Sequence, residues 1–160
     1  MRIIGVISDT HGLLRRPALA ALRGCNPIIH AGDVGDPTIL EELRRLAPVF
    51  AVRGNIDKGM WALKLPEREI VKVDDCLILV LHDRNELKLD PQAEGFHAVI
   101  AGHSHRPLME SRRGVLHFNP GSAGPRRFRL PVTVGRLTLS RGKLKATIID
   151  IGGESASLPL

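Results

Sequence analysis

Apolar positions in the first half of the chain fall in short solid runs separated by amphipathic stretches. Ile3 to Ser8, Pro27 to His30 and Pro48 to Val52 have the length and content of strands buried on both faces. Between them, Pro17 to Leu22 predicts a short helix. A second helix is better marked, with Asp36 as its N-cap, Pro37 in the first turn, and Ile39, Leu40, Leu43 and Leu46 on one face. Such alternation predicts a mostly parallel sheet. From Glu69 the pattern changes. Ile70 to Val73 and Leu77 to Leu81 flank an Asp74-Asp75 turn, and Arg113-Gly114 and Arg141-Gly142 mark two more hairpins, predicting a more antiparallel half. Pro91 to Gly95 suits a short helix, and Ala98 to Ala101 another buried strand.

Composition narrows the class. A chain of 160 residues that is 43% hydrophobic and 25% charged is expected to fold as one α/β domain over residues 1-151, with 152-160 a loose tail. Aromatics are only 3%, so the core rests on Leu, Ile, Val and Ala, and a base-stacking platform is not expected. Cys25 and Cys76 have no CxxC spacing and no framework of partners, which suits a reducing compartment and a cytoplasmic location. The apolar run at Ile3 to Ile7 is too short to span a bilayer and reads as a first strand, so no membrane association is expected. The net charge of +6 comes from scattered arginines. Their densest cluster, Arg126, Arg127 and Arg129, is short for a nucleic-acid arm, so nucleic acid is not the favoured partner.

The positions of His, Asp and Asn carry the chemistry. Asp9-Thr10-His11 follows the first strand, Gly32-Asp33 the second, Gly54-Asn55 the third, His82 a fourth, and Gly102-His103-Ser104-His105 another. Ligands of open α/β sheets bind beyond the carboxyl ends of strands, so these five segments can converge on one rim. The set holds two carboxylates, one amide oxygen and four imidazoles, without thiolate. That suits borderline divalent ions such as Mn, Fe, Co, Ni or Zn, of which Mn is the first expectation. Seven donors are too many for one tetrahedral ion, and shared between two ions with one carboxylate bridging they give three or four donors each. Two such ions, Asp9, Asp33 and a bridging hydroxide sum to about +1, which attracts an anion and points to attack at phosphorus.

In this order the D-x-H, GD, GN, strand-terminal His and GHxH motifs resemble those of the calcineurin-like metallophosphoesterases, over nearly the whole chain. The short length and Asn119-Pro120-Gly121-Ser122 resemble the compact prokaryotic phosphodiesterases of that family, whose eukaryotic relative is the retromer scaffold subunit. The resemblance implies two mixed β-sheets packed as a sandwich flanked by α-helices. It also implies that Asp9, His11 and His105 bind one ion, that Asn55, His82 and His103 bind the other, and that Asp33 bridges. The expected activity is phosphodiester hydrolysis by a metal-bridging hydroxide on a small phosphoester. A non-catalytic scaffold of the same fold and a nuclease are the alternatives, and a homo-oligomer is left open.

Two positions depart from that family. Its GN motif usually continues with His or Cys, whereas this chain has Ile56, which cannot protonate a leaving group. The strand-terminal His is normally followed by Gly and here by Asp83. Asp57 matches an acidic residue expected to support the site from outside the ligand set. Ser122, Arg126 and Arg127 are candidate substrate contacts, as is Arg53 beside Gly54. His30, His97 and His117 are read as structural.

Overall fold

The structure is a computed structural model and describes residues 1–152. The expected loose tail at 152-160 lies, beyond Gly152, outside the described residues. The first sheet contains strands β1 (Arg2–Ile7), β2 (Ile28–His30), β3 (Val49–Ala51), β9 (Thr133–Ser140) and β10 (Lys143–Asp150), in the order β10-β9-β1-β2-β3. The second contains β4 (Arg68–Val73), β5 (Cys76–Leu81), β6 (Ala98–Ile100), β7 (Leu108–Arg112) and β8 (Val115–Asn119), in the order β4-β5-β6-β8-β7.

Both sheets are mixed. β1, β2 and β3 run parallel, with Gly5 opposite Ile28 and Ile28 opposite Val49, while the β9-β10 hairpin returns to pair antiparallel with β1. The more antiparallel second half is present in the hairpins β4-β5, β7-β8 and β9-β10, while β5, β6 and β8 are parallel neighbours within it. The hairpin turns identify chain reversals, but the solid apolar runs of β5 and β6 belong to interior parallel strands, buried on both faces.

The two sheets pack face to face. Ile4, Val6 and Ile29 of the first share one buried cluster with Val71, Ile78, Ile100 and Phe118 of the second. The outer face of the first sheet is covered by helices α1 (Arg16–Leu22) and α2 (Pro37–Arg44), through Leu22, Ile39, Leu40 and Leu43. Asp36 caps α2 by accepting the Thr38 N–H at 2.9 Å. A one-turn helix α3 (Met60–Leu63) follows β3.

The outer face of the second sheet is closed differently. Leu79, Leu81, Val99 and Val115 pack under Leu87, Leu89 and Phe96, which belong to the long β5-β6 connection. The helix expected over Pro91 to Gly95 is instead a run of turns, closed by Glu94 N–H to Asp90 O at 3.1 Å and Phe96 N–H to Pro91 O at 2.9 Å. Gly95, at φ +83°, ends it before regular helix can propagate. Among the described residues no helix is long and apolar enough to cross a membrane.

Candidate metal centre

The loops after β1, β2, β3, β5 and β6 meet at one edge of the sandwich. Asp9 N–H donates to Gly32 O at 3.0 Å, His11 N–H to Asp33 O at 2.9 Å, and Gly102 N–H to His82 O at 2.9 Å. These bonds join the loop after β1 to that after β2, and the loop after β5 to that after β6. Asp9, His11, Asp33, His103 and His105 all take positive φ, between 46° and 70°. Left-handed backbone costs a non-glycine residue roughly 1–2 kcal/mol, and such strain persists where the surroundings over-determine it, commonly at functional sites.

Each carboxylate is anchored by one oxygen and presents the other. Asp9 Oδ2 accepts the Ser8 hydroxyl at 2.6 Å and the His103 N–H at 3.1 Å. Its Oδ1 faces His105 Nε2 at 3.4 Å, His11 Nε2 at 3.7 Å and His82 Nε2 at 3.9 Å. Asp33 Oδ1 accepts the Ile56 N–H at 3.1 Å, while Oδ2 lies 3.2 Å from His82 Nε2 and 3.4 Å from His11 Nε2. Asn55 Oδ1 is 3.1 Å from His82 Nε2. Two compact donor groups result, Asp9 with His11 and His105, and Asp33 with His82 and His103.

Glycines bring the backbone this close. A Cβ at Gly54 would overlap Asp33 Oδ1 and the Asp33 amide, and one at Gly102 would overlap Ser8 Oγ.

Charge follows this geometry. Burial opposes ionisation of Asp9, but His105, His11 and Ser8 outweigh it and hold the carboxyl well below the usual range. Asp33 is also lowered, burial being overcome by His82 and the Ile56 amide. Burial alone would lower His82, yet Asp33, Asp9 and the Ala31 carbonyl together raise it to about 9. The metal-free protein therefore carries an imidazolium at His82 at neutral pH, and a cation bound beside it must displace that proton. Titration calorimetry of Mn2+ binding at pH 7.5 in buffers of different ionisation enthalpy should reveal this release. Heats independent of the buffer would contradict it.

The fit to a metal centre rests on buried atoms left without partners. Asp9 Oδ1 and His11 Nε2 are buried and make no hydrogen bond among the described residues. Buried polar atoms are rarely orphaned, and a carboxylate oxygen ringed by imidazole nitrogens is the environment of a bound cation. The mixed oxygen and nitrogen donor set suits borderline divalent ions.

Behind the donors lie residues that hold the loops. Asp57 accepts from Val34 N–H at 3.2 Å, Gly35 N–H at 2.9 Å and Gly54 N–H at 2.9 Å, so one carboxylate joins the Asp33 loop to the Asn55 loop. Asn119 donates to Gly102 O at 3.0 Å and to Ser104 Oγ at 3.2 Å, bracing the His103-His105 loop. In the sequence Asn119 stands out only within the Asn119-Pro120-Gly121-Ser122 segment, and so long-range a contact leaves no local pattern.

His30 is fully buried and structural. Its Nδ1 accepts from Gly32 N–H at 3.1 Å, so Nε2 carries the proton and donates to Thr10 Oγ1 at 3.0 Å, and Thr10 donates on to Val34 O at 2.8 Å. Burial lowers the imidazole to about 4. Between its ordinary 6.5 and that value the unfolded chain binds the extra proton, so stability should fall by about 3 kcal/mol as pH drops through this window. Urea midpoints at pH 7 and pH 5 should therefore differ more in wild type than in His30→Asn, whose side chain does not titrate. Equal differences would refute the assignment.

Other candidates sit elsewhere. Ser122 is buried and donates to Asp9 O at 3.0 Å, so its hydroxyl braces the Asp9 backbone and is not presented as a substrate contact. Arg126 donates to Leu130 O at 3.2 Å and Gly152 O at 2.8 Å, closing its own loop, and Arg127 is exposed on that loop. Neither arginine lines the cleft of about 450 Å3 that opens beside Asn55, His82 and His103. Arg53 does, paired with Glu67 at 2.9 Å. His97 is exposed and accepts the Leu77 N–H at 3.0 Å, and His117 is buried in the second sheet.

Comparison with known proteins gives the family and the fold. A probable metallophosphoesterase of Methanocaldococcus jannaschii is 37% identical, over 93% of this chain and 81% of that protein. A structure described as a novel archaeal phosphodiesterase superposes with a TM-score of 0.78 at 25% identity, covering 92% of this chain and 99% of the other. Vps29 of Entamoeba histolytica complexed with zinc gives 0.71 at 23% identity, over 92% and 98%, a likeness of fold. Residues 1–142, which hold every donor described above, match the model of the calcineurin-like phosphoesterase superfamily domain, and the chain belongs to that superfamily.

Proposed function

We propose that this metal-dependent phosphoesterase is a phosphodiesterase with a dinuclear centre, in which Asp9, His11 and His105 hold one divalent ion, Asn55, His82 and His103 hold the other, and Asp33 is shared. The observation that carries this reading is the position of Asp33 Oδ2, within 3.4 Å of an imidazole from each donor group. Those residues would hold divalent ions, manganese foremost, and the chemistry such ions would supply is acidification of a water and neutralisation of charge on the phosphoryl oxygens. The chain's own part is positional. Asp33 and Asp9 each present one oxygen, the Ala31 carbonyl fixes the His82 ring at 2.7 Å, and Asp57 holds the two loops in register.

Ile56 is 38% exposed at this site and has no proton to give. Esters whose leaving group departs without protonation are the substrates this supports, and a small phosphodiester with an acidic alcohol is the first to test. Purified protein loaded in turn with Mn, Ni, Co, Fe and Zn should hydrolyse bis(p-nitrophenyl) phosphate faster than p-nitrophenyl phosphate. No turnover of either with any ion would refute the hydrolase reading, and the reverse order would refute the diester preference. Both cysteines are free and buried, which supports a cytoplasmic location. A non-catalytic scaffold of the same fold is the second reading, and failure of every ion to support turnover of either ester would favour it.

A further inference from the structure

His103 is the least supported of the four donor histidines. Its side chain is 44% exposed, whereas those of His11, His82 and His105 are 15%, 8% and 4% exposed. The His82 ring is pinned by the Ala31 carbonyl, but the His103 ring makes no hydrogen bond among the described residues. A half-exposed imidazole without a hydrogen-bond partner must be ordered when it binds a cation, which weakens the site.

One carboxylate outside the donor groups faces that ring. Asp83 Oδ2 lies 3.8 Å from His103 Nε2, a separation that a movement of roughly 1 Å closes to a hydrogen bond. The aim of this carboxylate is already set. Asp83 Oδ1 accepts the Asn85 N–H at 2.9 Å and so caps the 3-10 turn at Arg84–Glu86, leaving Oδ2 turned to the cleft that Asp83 and His103 both line.

We infer that Asp83 is the positioning residue of His103: Oδ2 accepts the Nε2–H, which fixes the ring and its tautomer and leaves Nδ1 as the donor nitrogen toward the second group. A ligating histidine held in this way by a carboxylate is both oriented and more basic, and losing the partner typically weakens metal affinity roughly 10–100-fold. The inference rests on reading the Asp33, His82 and His103 group as a metal site.

The test is Mn2+ binding to metal-free protein, followed by calorimetry and by the EPR signal of free Mn2+. Asp83→Asn and Asp83→Ser both keep an oxygen to cap the turn while removing the acceptor for His103. In each variant one equivalent should bind as in wild type and the other roughly 10–100-fold more weakly. The Mn2+ concentration for half-maximal turnover should rise, with kcat recovering at saturating metal. A general structural defect would lower kcat at every metal concentration. Wild-type affinity for both equivalents in both variants would overturn the inference. A wild-type protein that binds Mn2+ but turns over no ester would sink the hydrolase reading alone.

Discussion

Asp33→Ala is expected to abolish hydrolysis and to lower the metal content of both donor groups together. The reason is geometric: its Oδ2 lies 3.2 Å from His82 Nε2 and 3.4 Å from His11 Nε2, so no other single side chain serves both groups so closely. Losing a supporting residue behind a metal ligand costs roughly 10–100-fold, and losing a shared anionic ligand should exceed that. Activity below about 1% of wild type at saturating Mn2+ is the expected result. Metal analysis after dialysis should show less than one ion per chain. Asp33→Asn separates charge from shape, since its amide oxygen can still accept the Ile56 N–H. A fully metallated, active Asp33→Ala protein would rule out the shared role.

Asp57→Ala should damage stability and metal binding at once. Its carboxylate takes three main-chain N–H groups, from Val34, Gly35 and Gly54, and no water replaces a partner easily at a residue only 5% exposed. Each buried donor left unsatisfied costs about 1–3 kcal/mol, so a loss of about 3 kcal/mol is expected after the loops relax. For a chain of this size that lowers Tm by roughly 10 °C. Because the three amides belong to the Asp33 and Asn55 loops, Mn2+ affinity should also fall roughly 10–100-fold. Asp57→Asn, able to keep the two donors that share Oδ2 but not the Gly35 N–H, should lie between. Thermal melts without metal, followed by Mn2+ titration, would check both parts; an unchanged Tm would show that the three bonds contribute little.

The sequence carried much of this site. Asp9, His11, Asp33, Asn55, His82, His103 and His105 could be singled out because each follows an apolar run that ends abruptly beside glycine or at a turn. The strands β1, β2 and β3 and the helix capped by Asp36 were legible for the same reason: local burial and capping leave a local pattern. The β9-β10 hairpin was legible as a hairpin. Its pairing with β1, more than a hundred residues earlier, was not.

Periodicity reports which side of a segment is buried, and says nothing of the strand that lies beside it. The parallel order of β5, β6 and β8, the turns in place of a helix at Pro91 to Gly95, and the burial of Ser122 against Asp9 were therefore decided only by tertiary packing. So were the threefold amide grip of Asp57 and the approach of Asp83 to His103. The residue types at five strand ends determined by themselves that a cluster of hard and borderline donors existed. Which oxygen of each carboxylate is anchored and which is presented was settled by hydrogen bonds between loops far apart in the chain, because an interaction so dependent on distance has no counterpart in residue order.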